Sequence, residues 1–252
     1  MIRALAAICA GLAVALVAPQ GRAADRARHG ILRVLFIGNS YTRFNDLPRM
    51  VEELSRSAPV GPILDTSRET RGGYDLRGHW RRRSVRQRIG RGRYDVVVIQ
   101  GHSMAAIRDP GGFAEYVRRF AEHATTSGAR PILFQTWARH PRSRDYDRYR
   151  LSDPSEMLAR IDALYGEIAR RLRVPVAPVG RAWARASAEL PNVELHRRDG
   201  THPALAGSYL AACVIYGTIS GRDPRLATWS PWRMPRAQAA RIRTIAAESL
   251  ER

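Results

Sequence analysis

The sequence predicts an α/β protein, a three-layer α/β/α sandwich around a mainly parallel sheet. Two observations carry that expectation. Short apolar runs without polar alternation, the strongest being 95–99 (DVVVI), have the composition of strands buried on both faces. Longer stretches with helical spacing lie between them, so each strand can return to the sheet through a crossover helix.

Taken in order, residues 32–37 read as the first strand and 47–54 as a helix. Residues 63–66 form a short strand before the Gly72-Gly73 turn. After 95–99 come an amphipathic helix at 113–123, a strand at 131–136 and a longer helix at 157–172. A strand-like run at 174–179 follows, then a closing helix of small and apolar residues at 204–219. Residues 138–153 are polar and aperiodic and read as a loop over one rim of the sheet. Residues 222–235, with three prolines and two tryptophans, read as an extended tail leading into a last helix. Residues 77–93 are the densest basic run; Val85 and Ile89 give it an apolar i, i+4 seam, so it reads as a solvated helix pair packed on the sheet.

The N-terminus carries a different signal. A short positive start is followed by an apolar run over 4–19, then Gly21-Arg22-Ala23, which sets small residues before a cut at Ala24. This is the pattern of a secretory signal peptide at 1–23, and the run is short for a membrane span of ~20 residues. Residues 24–252 are then expected to form one domain, secreted or periplasmic, with no further membrane segment. That chain keeps a single cysteine, Cys213, so no internal disulfide is available to it. The net charge is +19 and all 42 basic residues are arginine, a bias that resembles base composition more than a binding adaptation. So basic a surface is expected to make nonspecific contacts with polyanions. No nucleic-acid-binding motif accompanies the charge, and no phosphate-loop pattern follows the first strand.

The chemistry is concentrated at strand ends. In parallel sheets ligands bind beyond the carboxyl ends of the strands. Ser40, in the stretch LFIGNSYT, follows the first strand; Gln100 to Ser103 follow 95–99; Thr136-Trp137 follow the next. A serine nucleophile needs a base, an acid that orients the base, and donors for the oxyanion. Among seven histidines only His202 lies in a compact turn with a carboxylate, Asp199-Gly200-Thr201-His202-Pro203. Asp199 can reach Nδ1 through the local loop, leaving Nε2 for a hydroxyl, and Pro203 is suited to start the closing helix. The competing readings are Ser40 as a helix cap, Gly72-Gly73 as a plain turn, and His196, Asp199 and His202 as metal ligands. The arginines at 197 and 198 disfavour a cation there, and no metal or cofactor is expected. Trp137 is the one tryptophan with a rim location suited to stacking on a sugar.

With GNS, GGYDL, VVVIQGHS and DGTHPALAGSYLAA in this order, the chain resembles the SGNH (GDSL-type) serine hydrolase superfamily, in a bacterial secreted branch. The resemblance covers 32 to about 221 and implies a flavodoxin-like hydrolase fold. It also implies a Ser40, His202 and Asp199 triad, with an oxyanion hole made by the N–H groups of Ser40 and Gly73 and a third donor. The usual Gly-x-Asn-Asp block is replaced here by Gln100-Gly101-His102-Ser103. Ser103 holds the asparagine's position, and Gln100 has the amide chemistry, which makes Gln100 the expected donor. The implied function is a carboxylic ester hydrolase acting on short acyl, above all acetyl, esters of small molecules or glycans. A thioesterase or lysophospholipase with the same triad, or a catalytically silent binder of anionic glycans, are the alternatives.

Overall fold

The computed structural model describes residues 30–251; the expected signal peptide lies outside them. Five strands, β1 (Ile31–Gly38), β2 (Ile63–Thr70), β3 (Val96–Ile99), β4 (Arg130–Phe134) and β5 (Val176–Ala177), form one parallel sheet in the order β2-β1-β3-β4-β5. The helices are α1 (Ser40–Arg43), α2 (Leu47–Ser57), α3 (Leu76–Arg81), α4 (Arg83–Gly90), α5 (Ala105–Arg108) and α6 (Pro110–Thr126). They continue with α7 (Asp145–Tyr149), α8 (Pro154–Leu172), α9 (Val179–Glu189), α10 (Leu205–Ser220) and α11 (Arg236–Leu250).

Successive strand residues point to opposite faces, and the core divides accordingly. Val34, Phe36, Val96, Val98, Ile132 and Phe134 face a layer built from α2, α9, α10 and α11. Leu35, Ile37, Val97, Ile99 and Leu133 face α4, α6 and α8. Both faces are covered, which is why these strands lack polar alternation. Helix α10 lies at the centre of the first layer, buried on nearly every side. There burial pushes the Cys213 thiol up to about 12, against the opposing pull of Arg243, so it is inert.

Three elements differ from the sequence expectation. Strand β2 runs twice as far, pairing with β1 from Ile31↔Ile63 to Gly38↔Thr70; main-chain pairing at an edge overrides the polar composition of its second half. Strand β5 shrinks to two residues because Pro175 and Pro178 bracket it and cannot donate to a ladder. Val179 instead opens α9, whose Val179, Ala182, Trp183 and Ala186 form its buried stripe. The rim segment 138–153 contains α7 and buries Arg139, Tyr146 and Leu151. Residues 77–93 form the expected helix pair, α3 and α4, with Val85 and Ile89 buried beneath it.

The chain winds outward from β1 to β2 in one direction and to β3, β4 and β5 in the other. The gap beyond β1 and β3 is therefore the switch point, where a crevice opens.

Candidate active site

The turn after β1 is built by close approach. A Cβ on Gly38 would lie 2.4 Å from both Gln100 Oε1 and Thr42 Oγ1, so only glycine lets these groups close over the strand end. Buried Asn39 caps α1: its Oδ1 accepts from the Tyr41 N–H at 3.0 Å, and its Nδ2 donates to the Tyr74 carbonyl at 3.1 Å. The cap is thus Asn39 and not Ser40, whose hydroxyl is left for another partner. The loop that follows adopts left-handed backbone at Asn45 and Asp46. Asn45 Nδ2 donates to the Pro203 and Ala204 carbonyls and to Ser208 Oγ, fastening the serine turn to the start of α10.

The partner loop forms locally. Asp199 Oδ1 accepts from the N–H groups of Thr201 and His202, both at 2.9 Å, while Oδ2 meets His202 Nδ1 at 2.8 Å. His202 Nε2 lies 2.9 Å from Ser40 Oγ. Burial pushes the Asp199 carboxyl up, but the His202 and Thr201 N–H groups and the imidazole outweigh it and hold it below the usual carboxylate range. A carboxylate there accepts the Nδ1 proton, which leaves the Nε2 lone pair directed at the Ser40 hydroxyl. Phe44 lies against the imidazole, 4.6 Å between ring centres. Pro203 does not start the closing helix; it bridges to His196, and α10 begins at Leu205.

Gly73 has φ +70° and nothing within 4 Å of where a Cβ would stand, so a turn that requires glycine leaves open space. It lines a cavity of about 430 Å³ with Tyr74, His102, Met104, Phe113 and Tyr116. A larger groove, about 1010 Å³, runs along Asp199-Gly200, His140, Arg142 and Arg197.

Gln100 does not face this space. Its Oε1 accepts from the Asn39 N–H and from Thr42 Oγ1, both at 2.9 Å, and its Nε2 donates to the Gly101 carbonyl. The Asn39 N–H is a donor only and fixes the oxygen end of the amide inward. Ser103 is buried, its Oγ accepting from Arg139 Nη2 at 3.0 Å. The remaining polar side chain of that block is His102. The Met104 N–H donates to its Nδ1 at 3.1 Å, so the ring proton resides on Nε2. Burial, with Arg139 and Arg108 nearby, holds His102 below the ordinary imidazole range and keeps it neutral.

Trp137 is no sugar platform. It is fully buried, stacked between Tyr41 at 4.3 Å and Trp183 at 4.0 Å. His196 donates through Nε2 to the Ala138 carbonyl at 3.1 Å and packs edge-on against Trp183. Among the described residues no helix is long and apolar enough to cross a membrane. His102, Arg139, Tyr41 and Thr201 also converge on this site, and no motif in the sequence marks them. Only their places beside strand ends or beside Ser40 and His202 could have marked them.

No protein-family model matches this chain, and no curated protein does. Solved structures do. One, a Slackia heliotrinireducens protein proposed to be an SGNH hydrolase, is 27% identical with TM-score 0.67, over 75% of this chain and 100% of the other. The chain has the SGNH hydrolase fold. A DUF4886-family protein from Bacteroides uniformis shares the fold at TM-score 0.73 and 17% identity, over 88% of this chain and 95% of that one. So does Axe2, an acetylxylan esterase from Geobacillus stearothermophilus, at TM-score 0.57 and 16% identity, over 75% and 94%. Within that fold, the β1 and β3 ends of this chain carry the Ser40 turn and the Gln100–Ser103 block.

Proposed function

We propose that residues 24–252 act, after removal of a signal peptide, as a single-domain secreted or periplasmic serine esterase on short acyl esters. The observation that carries this reading is the hydrogen-bond chain Asp199–His202–Ser40 at 2.8 and 2.9 Å. Ser40 Oγ attacks the ester carbonyl while His202 Nε2 takes its proton, and Asp199 stabilises the imidazolium. The carbonyl oxygen becomes an oxyanion, held by the N–H groups of Ser40 and Gly73. His202 then gives the proton to the leaving alcohol as its C–O bond breaks. A water, deprotonated by the same imidazole, attacks the acyl-enzyme and releases the acid and free Ser40. With Gln100 and Ser103 engaged elsewhere, His102 Nε2–H takes the part of third donor, a neutral imidazole serving as hydrogen-bond donor.

The cavity beside Gly73, where Phe113, Met104 and Tyr116 stand beside the charged Arg77, Arg108 and Asp109, is the smaller of the two spaces and favours a small acyl group such as acetyl. The longer groove beside Asp199 lies on the side of the base, where the alcohol leaves, and is roomy enough for a sugar chain. The likeness to an acetylxylan esterase agrees with a carbohydrate ester.

The test is turnover of p-nitrophenyl esters of increasing chain length by the wild type, Ser40→Ala and His202→Ala. The expected result is fastest turnover of acetate and loss of about 10⁴-fold or more in kcat in both variants. Equal rates in all three proteins would refute the triad; a preference for long chains or thioesters would move the reading to a lysophospholipase or thioesterase.

A further inference from the structure

Arg139 is buried on the active-site rim, and each part of its guanidinium bonds to a different segment of the chain. Nη2 donates to Ser103 Oγ at 3.0 Å, beyond β3. Nε donates to Asp145 Oδ2 at 3.0 Å, on the rim segment. Nη1 donates to the hydroxyl oxygen of Tyr41, the residue after Ser40. The backbone is equally fixed: the Arg139 carbonyl accepts from the Tyr146 hydroxyl, and its N–H points at Met157 Sδ.

The Tyr41 contact determines the direction of the next one. A guanidinium can only donate, so the Tyr41 oxygen accepts from Arg139 and its own hydrogen is left for Thr201 Oγ1, 2.8 Å away. Thr201 immediately precedes His202, and its N–H shares Asp199 Oδ1 with that of His202. Trp137, stacked on the Tyr41 ring, donates through Nε1 to the Thr201 carbonyl at 3.2 Å. The neighbour of the serine therefore grips the neighbour of the histidine across 160 residues of sequence.

We propose that Arg139 is a positioning residue: by orienting the Tyr41 hydroxyl toward Thr201 it holds the Ser40 turn and the His202 loop in register. This rests on the esterase reading above, because register matters only if Ser40 and His202 exchange a proton. Lysine would not replace it, since a single ammonium cannot span the three separated acceptors that the planar fork reaches. Arg139 touches no reacting atom; its effect passes through Tyr41 and Thr201.

The experiment compares wild type, Tyr41→Phe, Arg139→Lys and Arg139→Met by steady-state kinetics on p-nitrophenyl acetate. Histidine-labelled NMR of the His202 Nδ1–H proton is recorded on the same proteins. Tyr41→Phe keeps the ring stacked on Trp137 and removes only the hydroxyl, so it reports on the link even if an Arg139 variant fails to fold. Loss of the link is expected to lower kcat about tenfold or more with KM within about twofold, the size of one lost hydrogen bond. The His202 Nδ1–H signal should broaden through exchange in the same variants. Tyr41→Phe with wild-type kcat, or with lowered kcat and an unchanged Nδ1–H signal, would overturn the proposal. A wild type without turnover whose Nδ1–H signal still depends on Tyr41 would support the positioning role and overturn the esterase reading instead.

Discussion

Two histidines touch the turn that carries Ser40, and they are built for opposite tasks. His79 is fully buried on α3, and its Nε2–H donates to the Gly38 carbonyl at 2.8 Å, pinning the backbone at the end of β1. Its Nδ1 is buried with no hydrogen-bond partner among the described residues. Burial, only partly offset by the Gly38 bond, holds it below the ordinary imidazole value. His202 is part-exposed at the end of a loop, has a carboxylate on Nδ1 and offers Nε2 to a hydroxyl. The first is locked in one neutral tautomer by its surroundings. The second has the counter-charge that makes a transient imidazolium tolerable. In the proposed reading, base function therefore follows from the partner on the far nitrogen and not from proximity to Ser40.

Substitution should separate the two. His202→Ala is expected to remove about 10⁴-fold or more of kcat while leaving urea stability near wild type, because the loop is held by backbone bonds to Asp199. His102→Ala should cost about 10²–10³ in kcat with KM little changed, the usual effect of losing one oxyanion donor. His102→Asn, which keeps an N–H donor, should recover part of it; equal activity in His102→Ala would return the third donor to an unassigned group.

A further histidine, His196, sharpens the contrast through pH. Burial, opposed by its bond to the Ala138 carbonyl, pushes His196 from 6.5 down to about 4. The unfolded chain then takes up a proton more readily than the folded one. Stability from this group is complete above about pH 6.5 and is lost as pH falls toward 4, in total about 3 kcal/mol. Urea unfolding at pH 7.5 and 4.5 measures the loss, and His196→Gln should reduce it. The smallest effect expected is His79→Leu, which leaves the Gly38 carbonyl with the Arg71 N–H as its remaining donor. It should cost about 0.5–1.5 kcal/mol of stability, the net worth of one hydrogen bond, with any activity loss well below that of His202→Ala. Activity lost as completely as in His202→Ala, without unfolding, would break the division of labour drawn between the two.

Much of this was legible in the sequence, for local reasons. The order of strands and helices followed from apolar runs, and the Asp199–His202 pair from a loop of four residues that closes on itself. What was not legible depends on main-chain groups or distant packing. Gln100 has the chemistry of an oxyanion donor, but the backbone N–H of Asn39 turns its oxygen inward, and no side-chain pattern shows that. Trp137 lies at the expected strand end, yet Tyr41 and Trp183 sandwich it beyond the reach of a ligand. Arg139 is one arginine among 42 and stands out only once Tyr41, Ser103 and Asp145 are seen to converge on it. The length of β2 and the brevity of β5 are likewise set by neighbours and flanking prolines.

The most direct test of the central claim is covalent trapping. The protein would be incubated with an alkyl fluorophosphonate and the adduct mapped by mass spectrometry, alongside His202→Ala and His79→Leu. One adduct is expected, on Ser40, abolished in His202→Ala and retained in His79→Leu. Labelling of any other residue, or Ser40 labelling in His202→Ala at the wild-type rate, would contradict it.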